Sequence, residues 1–380
     1  MHPIYVDYNA TTPLRPEVFQ VMEPFLREHY GNPSSFHRLG QKSRAALEDS
    51  RNLILKLLGH EEGDLFFTSS ATEANNLALR GFAFKNNSGS KRKIITTAIE
   101  HLSVLKPLED LSDKGYEVVK VLPNSDGLVT IEEIKKNINE NTLMVSVMFA
   151  NNETGVIQPV EELSHFLKEN NIYFHVDAAQ VFGKMPFDFS KLKADSIAIS
   201  AHKIGGPKGV GALWVKEKKK LEPILLGGHH EQNIRPGTEN LPAIVGFGEA
   251  ARLSFERMDK EQEKIRCKIQ CLESAVLKHI PDVFVNGQAE PRLANTSNIS
   301  FLGVDTETLL ILLDSNQVCA SSGSACTSGS WEPSHVLEAM KLSPERIRSA
   351  IRFSIGFDTT DAEIQYLTEN LPSWVEQLRK

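Results

Sequence analysis

The sequence has few cysteines, no long apolar run and no excess of positive charge. Four cysteines in 380 residues are too few for the disulfide framework of a small secreted protein. No apolar stretch approaches the roughly 20 residues that a membrane-spanning helix needs, and residues 1–7 lack the basic start and apolar run of a signal peptide. The net charge of −7 argues against a nucleic-acid surface. We therefore expect a protein of the reducing cytoplasm that binds neither membranes nor nucleic acids.

Short apolar runs alternate with helical stretches over the first half of the chain and somewhat beyond. The β-branched or apolar runs lie at residues 65–68, 94–97, 118–121, 143–147, 172–176, 196–199 and 212–215. Near-continuous apolar strands that are mostly separated by helices are typical of a parallel sheet covered on both faces. The pattern predicts an α/β fold with a mainly parallel seven-stranded sheet.

The pattern changes near residue 241, where a long helical stretch begins and short strands follow it. This change indicates a smaller α+β unit. We expect a large domain of residues 15–250 and a small domain made of residues 1–14 and 251–380. Because ligands of parallel α/β sheets bind at the carboxyl ends of the strands, polar residues that directly follow the predicted strands are candidate site residues.

Lys203 is the first of these candidates. It ends the segment Ser200-Ala201-His202-Lys203, directly after the run at 196–199. A lysine at the end of a buried strand is unfavourable unless it has a partner or forms a covalent bond. A Schiff base with an aldehyde cofactor removes the charge and creates an electrophile. The alternative interpretation is an ordinary surface lysine in a loop.

Two further polar segments follow predicted strands. Asp177 comes after the run at 172–176, and a carboxylate there suits the pyridine nitrogen of a pyridoxal ring, because a protonated ring is the better electron sink. The segment 68–76 follows another run and opens a helix, so its backbone N–H groups and the Thr72 hydroxyl form a candidate phosphate site. Plain helix capping is the alternative at both positions.

These segments belong to a larger set of motifs that resembles the cysteine desulfurases, which are class V, fold-type I pyridoxal-phosphate enzymes. The motifs follow the family order from residue 4 to about residue 370, and they are Asp7–Pro13, Gly31–Ser35, Ala71–Asn76, Glu100–His101, Asn151–Gly155, Asp177 with Gln180, Ser200–Lys203, Gly206–Gly209, Ser321–Cys326 and Ile351–Ser354. The resemblance implies a fold-type I architecture and pyridoxal 5'-phosphate as the cofactor.

The resemblance also implies a role for each matching residue around the cofactor. Lys203 would carry the cofactor as a Schiff base, Asp177 would pair with the pyridine nitrogen, and Gln180 would bond the phenolic oxygen. His101 would stack on the ring and move protons. The residues implied at the phosphate are Ala71, Thr72, Ser200 and His202, joined by Thr238 of a neighbouring subunit in a homodimer.

The substrate side of the implied site has three members. Asn152 would lie beside the ring oxygen and the substrate, and Arg352 would bind the substrate carboxylate as a fork. Cys326 lies in the small, polar segment 321–333, which suits a thiolate that must reach a pocket and then leave it. The other cysteines are interpreted as packing (Cys319) or ordinary helix residues (Cys267 and Cys271). We predict no metal site.

The implied reaction takes sulfur from L-cysteine, giving L-alanine and a persulfide on Cys326. The persulfide would pass to an acceptor such as an iron–sulfur scaffold protein or a tRNA-thiolation enzyme, whose identity the sequence leaves open. One alternative is selenocysteine lyase, which has nearly the same motifs. The others are a class V aminotransferase or epimerase, which the Cys326 segment argues against, and a non-catalytic binding protein of this fold.

Overall fold

The computed structural model describes residues 3–60, 62–87, 89, 91–323 and 333–380. Its strands are β1 (Ile4–Tyr5), β2 (Asp64–Thr68), β3 (Lys93–Thr97), β4 (Glu117–Val121), β5 (Thr142–Met148), β6 (Tyr173–Asp177), β7 (Ser196–Ser200), β8 (Gly211–Val215), β9 (Val283–Val285), β10 (Thr296–Phe301), β11 (Val318–Cys319) and β12 (Ala350–Ser354).

The α-helices are α1 (Pro16–Arg27), α2 (Arg38–Leu57), α3 (Ala71–Lys85), α4 (Leu102–Asp113), α5 (Ile131–Lys135), α6 (Val160–Glu169), α7 (Leu241–His279), α8 (Thr306–Ser315), α9 (His335–Ala339), α10 (Pro344–Arg348) and α11 (Asp361–Arg379). Among the described residues, no helix is both long enough and apolar enough to cross a lipid bilayer.

A seven-stranded sheet forms the centre of the molecule, with the strand order β2-β8-β7-β6-β5-β3-β4. Only β8 runs against the others: it pairs antiparallel with β2 and β7, and the remaining pairs are parallel. Hydrophobic cores lie on both faces of the sheet, which explains why most of its strands read as continuous apolar runs. The predicted mainly parallel α/β sheet is confirmed.

The later part of the chain builds a second, antiparallel sheet with the order β12-β10-β9. Its apolar side packs on α7, α8 and α11. The short strand β1 joins this region by pairing in parallel with β11. The first residues of the chain therefore lie beside residues more than 300 positions later, and they bring Asn9 and Ala10 to the edge of the large sheet.

Helix α7 connects the two regions without a break. Ala250, Ala251 and Leu253 pack in a core of the large sheet, whereas Ile265 and later residues pack in the core of the second sheet. The predicted boundary between residues 250 and 251 falls inside this helix. The proposed division into a large and a small domain stays a prediction.

Candidate active site

A cavity of about 380 Å³ opens at the carboxyl ends of β5, β6 and β7, where the topology places a ligand. We call it the central cavity. Ten candidate residues from the sequence line it, and they are Ala71, Thr72, His101, Asn152, Asp177, Gln180, Ser200, His202, Lys203 and Arg352. The structure therefore brings together residues that are up to 281 positions apart in the sequence, from Ala71 to Arg352.

Lys203 lies at the end of a single 3-10 turn that follows β7. Its Nζ donates to two backbone carbonyls of the N-terminal segment, Asn9 O at 2.6 Å and Ala10 O at 2.8 Å. These contacts hold a primary amine at the cavity wall. An amine placed in this way suits Schiff-base formation with an aldehyde.

Asp177 ends the buried strand β6 and is itself buried. Oδ1 accepts a hydrogen bond from Ala179 N at 3.0 Å, and Oδ2 accepts one from Asn75 Nδ2 at 2.7 Å. Both bonds fix the orientation of the carboxylate. A fixed carboxylate in a cavity of this size fits the ring nitrogen of a pyridoxal group.

The N-terminus of α3 forms the opposite end of the cavity. Ser70 caps this helix by accepting from Glu73 N at 3.3 Å. The N–H groups of Ala71 and Thr72, which lie between Ser70 and Glu73, have no partner inside the helix. Capping and anion binding are therefore compatible at this helix. The free N–H groups and the helix dipole favour a negatively charged group.

Two side chains beside this helix end also fit a phosphate. Ser200 Oγ is buried and, among the described residues, has no hydrogen-bond partner, which is unfavourable unless a ligand supplies one. Burial, assisted by the charges of Lys203, Lys208 and Lys184, lowers the pKa of His202 to about 3. His202 is therefore a neutral donor, and the donor set fits the phosphate of pyridoxal phosphate.

Arg352 lies on β12 and is 2 % exposed. Its Nη2 donates to Asp7 Oδ1 at 2.5 Å, and its Nη1 donates to Asn152 O at 3.1 Å and Gly323 O at 3.3 Å. The guanidinium is held rigidly by these contacts and faces the cavity. A fixed, charge-balanced guanidinium suits a small carboxylate ligand.

Comparisons with known proteins agree with this geometry. The profile of the family "Aminotransferase class-V" matches residues 4–367. The "Cysteine desulfurase IscS" of Dictyoglomus turgidum is 43% identical over 376 residues, which cover 99% of this chain and 95% of that protein. The chain belongs to the cysteine desulfurase branch of the class V aminotransferases. Members of this family depend on pyridoxal phosphate, and the donor set described above fits that cofactor.

Solved structures show the same architecture. A "NifS-like protein" superposes with a TM-score of 0.92 at 36% identity, with 99% of this chain and 100% of that chain covered. A structure described as "SspA in complex with cysteine" superposes with a TM-score of 0.79 at 31% identity, covering 94% and 99% of the two chains. The cysteine desulfurase fold therefore extends over nearly the whole chain.

Two candidate residues of the desulfurase site differ from the ten that line the central cavity: one is not described and one lies elsewhere. Cys326 lies outside the described residues, although Gly323, three positions earlier in the sequence, lines the cavity. Thr238 is exposed and lines a separate cavity of about 190 Å³, together with Ser69, Gly209 and Arg235. Within one chain, Thr238 is thus apart from the cofactor residues.

The other three cysteines do not line the central cavity. Cys267 and Cys271 are exposed on α7, and Cys319 is partly buried on β11. Burial and the nearby carboxylates Asp314 and Asp7 raise the pKa of Cys319, which disfavours its thiolate. The prediction that Cys267 and Cys271 are helix residues is confirmed.

Sequence reasoning missed several residues that support the desulfurase site. Asn9 and Lys184 hold the predicted residue Gln180: Asn9 O accepts from Gln180 Nε2 at 3.0 Å, and Lys184 Nζ donates to Gln180 Oε1 at 2.7 Å. Asn75 and Ser103 form buried contacts beneath Asp177 and His101. Asn9 and Asn75 lie inside the family motifs, so their motif membership was a signal. Lys184 and Ser103 gave no such signal.

Proposed function

We propose that the protein is a pyridoxal-phosphate-dependent cysteine desulfurase. It converts L-cysteine to L-alanine and keeps the sulfur as a persulfide on Cys326. The observation that carries the proposal is one cavity that holds an amine on Lys203, a carboxylate on Asp177 and a guanidinium on Arg352. Membership of a family whose relatives are named cysteine desulfurase supports the choice of substrate.

The bound cofactor supplies an electron sink for the bonds at the substrate Cα. Around it, Arg352 binds the substrate carboxylate and so fixes the orientation of the other substituents. Lys203 would hold the cofactor covalently, and its amine would move the proton at the substrate Cα. Asp177 would pair with the ring nitrogen, and the donors at the start of α3 would hold the phosphate.

The sulfur step belongs to Cys326. Its thiolate forms an S–S bond to the substrate sulfur as the Cβ–S bond breaks, and the electron pair of that bond stays on Cβ, which then takes a proton. The thiol and L-cysteine thus become a persulfide and L-alanine, with atoms and electrons balanced. No other reductant or oxidant takes part. A thiolate is required because the neutral thiol is a poor nucleophile.

The experiment that tests the proposal separates cofactor chemistry from sulfur transfer. Purified protein with pyridoxal phosphate is given L-cysteine, and alanine and sulfide are measured together with the absorbance spectrum. We expect Cys326→Ala to bind the cofactor and to change its spectrum with L-cysteine, but to form almost no alanine. Cys271→Ala is the matched control and should keep the parent rate, because Cys271 lies on α7 away from the cavity.

Three outcomes would contradict the proposal in different ways. Full cysteine turnover by Cys326→Ala would exclude the persulfide on this residue. A parent protein that acts only on L-selenocysteine would be a selenocysteine lyase. A parent protein that binds the cofactor and turns over neither amino acid would be a binding protein of this fold.

The proposal includes a homodimer in the cytoplasm. Thr238 and the residues around it form a polar cavity at the surface, and exposed apolar side chains lie on and after α1, among them Phe19, Tyr30 and Phe36. Both features suit burial against a second copy. Light scattering should give twice the chain mass, and an active monomer would overturn this part. The sulfur acceptor would be a second protein, such as an iron–sulfur scaffold or a tRNA-thiolation enzyme.

A further inference from the structure

A chain of buried hydrogen bonds connects Asp177 with His101 beneath the central cavity. Asn75 Nδ2 is 2.7 Å from Asp177 Oδ2 and 2.8 Å from Ser103 Oγ, and Ser103 Oγ is 2.8 Å from His101 Nδ1. Asn75 Oδ1 is 3.0 Å from His175 Nε2. Asn75 and His175 are fully buried, so water cannot replace these partners.

The direction of each bond in this network follows from the carboxylate. An ionised carboxylate only accepts hydrogen bonds, so the Asn75 atom that faces Asp177 is the amide nitrogen. The amide oxygen then faces His175 Nε2, which has to be a donor. Burial lowers the pKa of His175 to about 4, so this ring carries a single proton at neutral pH. Its Nδ1 therefore accepts from Ser196 Oγ, at 2.9 Å.

The same reasoning extends to His101. Ser103 Oγ accepts the second hydrogen of Asn75 Nδ2, and its own hydrogen can be donated to His101 Nδ1. The backbone N–H of Ser103 also donates to this nitrogen, at 3.1 Å. Two donors directed at one ring nitrogen require that it carries no proton, since a histidine nitrogen with a proton is itself a donor.

We propose that Asn75 and Ser103 are positioning residues that fix the tautomer of His101, so that its neutral ring carries the proton on Nε2. His101 then meets the substrate as a hydrogen-bond and proton donor, not as a base. The inference rests on the proposed function, because it concerns how His101 takes part in that reaction. The same amide of Asn75 holds Asp177, so one side chain orients two groups of the site.

The electrostatic surroundings agree with a neutral His101. Burial lowers the pKa of His101; Asp177 raises it in part, and the charges of Lys203 and His335 lower it further. The ring therefore loses its second proton more easily than a histidine in water does. The hydrogen bonds from Ser103 then decide which nitrogen keeps the remaining proton.

Nitrogen NMR of the histidine rings measures the tautomer directly. The cofactor-loaded protein, labelled with 15N-histidine, gives separate ring-nitrogen signals for protonated and unprotonated nitrogens, and His101→Gln assigns the signals of His101. We expect Nδ1 unprotonated and Nε2 protonated in the parent. In Ser103→Ala the Nδ1-protonated form should increase by a factor of about ten, the effect of one lost hydrogen bond. Ser103→Thr keeps a hydroxyl and should restore the parent signals.

A matched control and a second variant keep the test decisive. Ser164 is another buried serine, whose hydroxyl bonds Glu161 O within its own helix, and Ser164→Ala should leave the His101 signals unchanged. Asn75→Leu removes all three hydrogen bonds of the side-chain amide and should change the His101 signals in the same direction as Ser103→Ala. If Asn75→Leu does not fold, the comparison of the parent with Ser103→Ala and Ser103→Thr is sufficient to test the inference.

Two results would overturn the inference: a parent His101 protonated on Nδ1, or identical His101 signals in the parent and in Ser103→Ala. Neither depends on turnover of L-cysteine. An enzyme without desulfurase activity would therefore refute the proposed function and leave the tautomer measurable. A loss of alanine formation in Ser103→Ala with unchanged ring signals would point to a structural role for Ser103 and would contradict the proposal.

Discussion

The two walls of the central cavity are built in different ways. The sheet wall carries Asp177, Ser200 and Lys203 at the ends of β6 and β7, whose positions are set by regular strand pairing. The distal wall consists of Asn9, Ala10, Gly323 and Arg352. Arg352 lies on the regular strand β12, but isolated bridges and single side-chain contacts connect it to the neighbouring segments. We propose that the sheet wall binds the cofactor, whereas the distal wall binds the substrate.

The largest expected effect lies on the sheet wall. Lys203→Ala removes both the amine that holds the cofactor and the group that moves the Cα proton, so turnover should fall by on the order of 10³-fold or more. Alanine formation and the visible absorbance of the cofactor measure the two losses. Lys208→Ala is the control, since Lys208 is exposed. Substantial activity in Lys203→Ala would show that the reaction does not require this residue of the sheet wall.

The distal wall is tested by Arg352→Lys, which keeps the charge beside Asp7 but loses the planar fork. We expect kcat/KM for L-cysteine to fall by roughly 100-fold, because charge-assisted hydrogen bonds to the carboxylate are lost. Cofactor affinity should change little. Arg292→Lys, at a similar Arg–Glu pair outside the cavity, is the control. If Arg352→Lys instead lost cofactor binding selectively, the proposed division of roles between the two walls would be wrong.

A buried carboxyl behind the sheet wall predicts how stability depends on pH. Burial raises the pKa of Glu100 to about 8, from an ordinary value of 4.5. Between these values the folded chain holds a proton that the unfolded chain has released, so this group lowers stability as the pH rises. In the parent, the free energy of unfolding from urea denaturation should fall by roughly a few kcal/mol between pH 5 and pH 8.5. Glu100→Gln should remove this fall. Unchanged pH dependence would contradict this assignment.

The smallest expected effect compares two buried serines of the same sheet. Among the described residues, neither Ser200 Oγ nor Ser146 Oγ has a hydrogen-bond partner, but only Ser200 lines the cavity. Ser200→Ala should weaken cofactor binding by about 1 kcal/mol, measured by titration of the cofactor-free protein. Ser146→Ala should leave it unchanged. Equal effects in both variants would mean that Ser200 does not contact the phosphate.

The sheet wall could be predicted from the sequence because its residues directly follow apolar strands. The residues of the distal wall were harder to predict from the sequence. Strand β12 was not predicted, since Ala-Ile-Arg-Phe-Ser contains a buried arginine that breaks the apolar pattern, and only the family motif indicated Arg352. Strands β1 and β11 have two residues each, too few for any periodicity.

The residues that hold the site residues in place through hydrogen bonds were the least predictable from the sequence. Asn75 contacts Asp177 and Ser103 across separations of 102 and 28 residues, and local patterns contain no information about such contacts. The motif Ala71–Asn76 indicated a phosphate site at the start of α3. It did not indicate that Asn75, the fifth residue of this helix, would donate a hydrogen bond to the carboxylate of Asp177.

The pairing of β1 with β11 also has a consequence for how the enzyme is made. Asn9 and Ala10, which hold Lys203, take their place only when β1 has found β11, and more than 300 residues separate the two strands. At synthesis rates of about 5–20 residues per second, the first strand waits for roughly 15–60 s on the ribosome. The large sheet can form during that time, but the lysine end of the cavity remains incomplete. We therefore expect nascent chains to acquire the cofactor only after residue 319 has emerged.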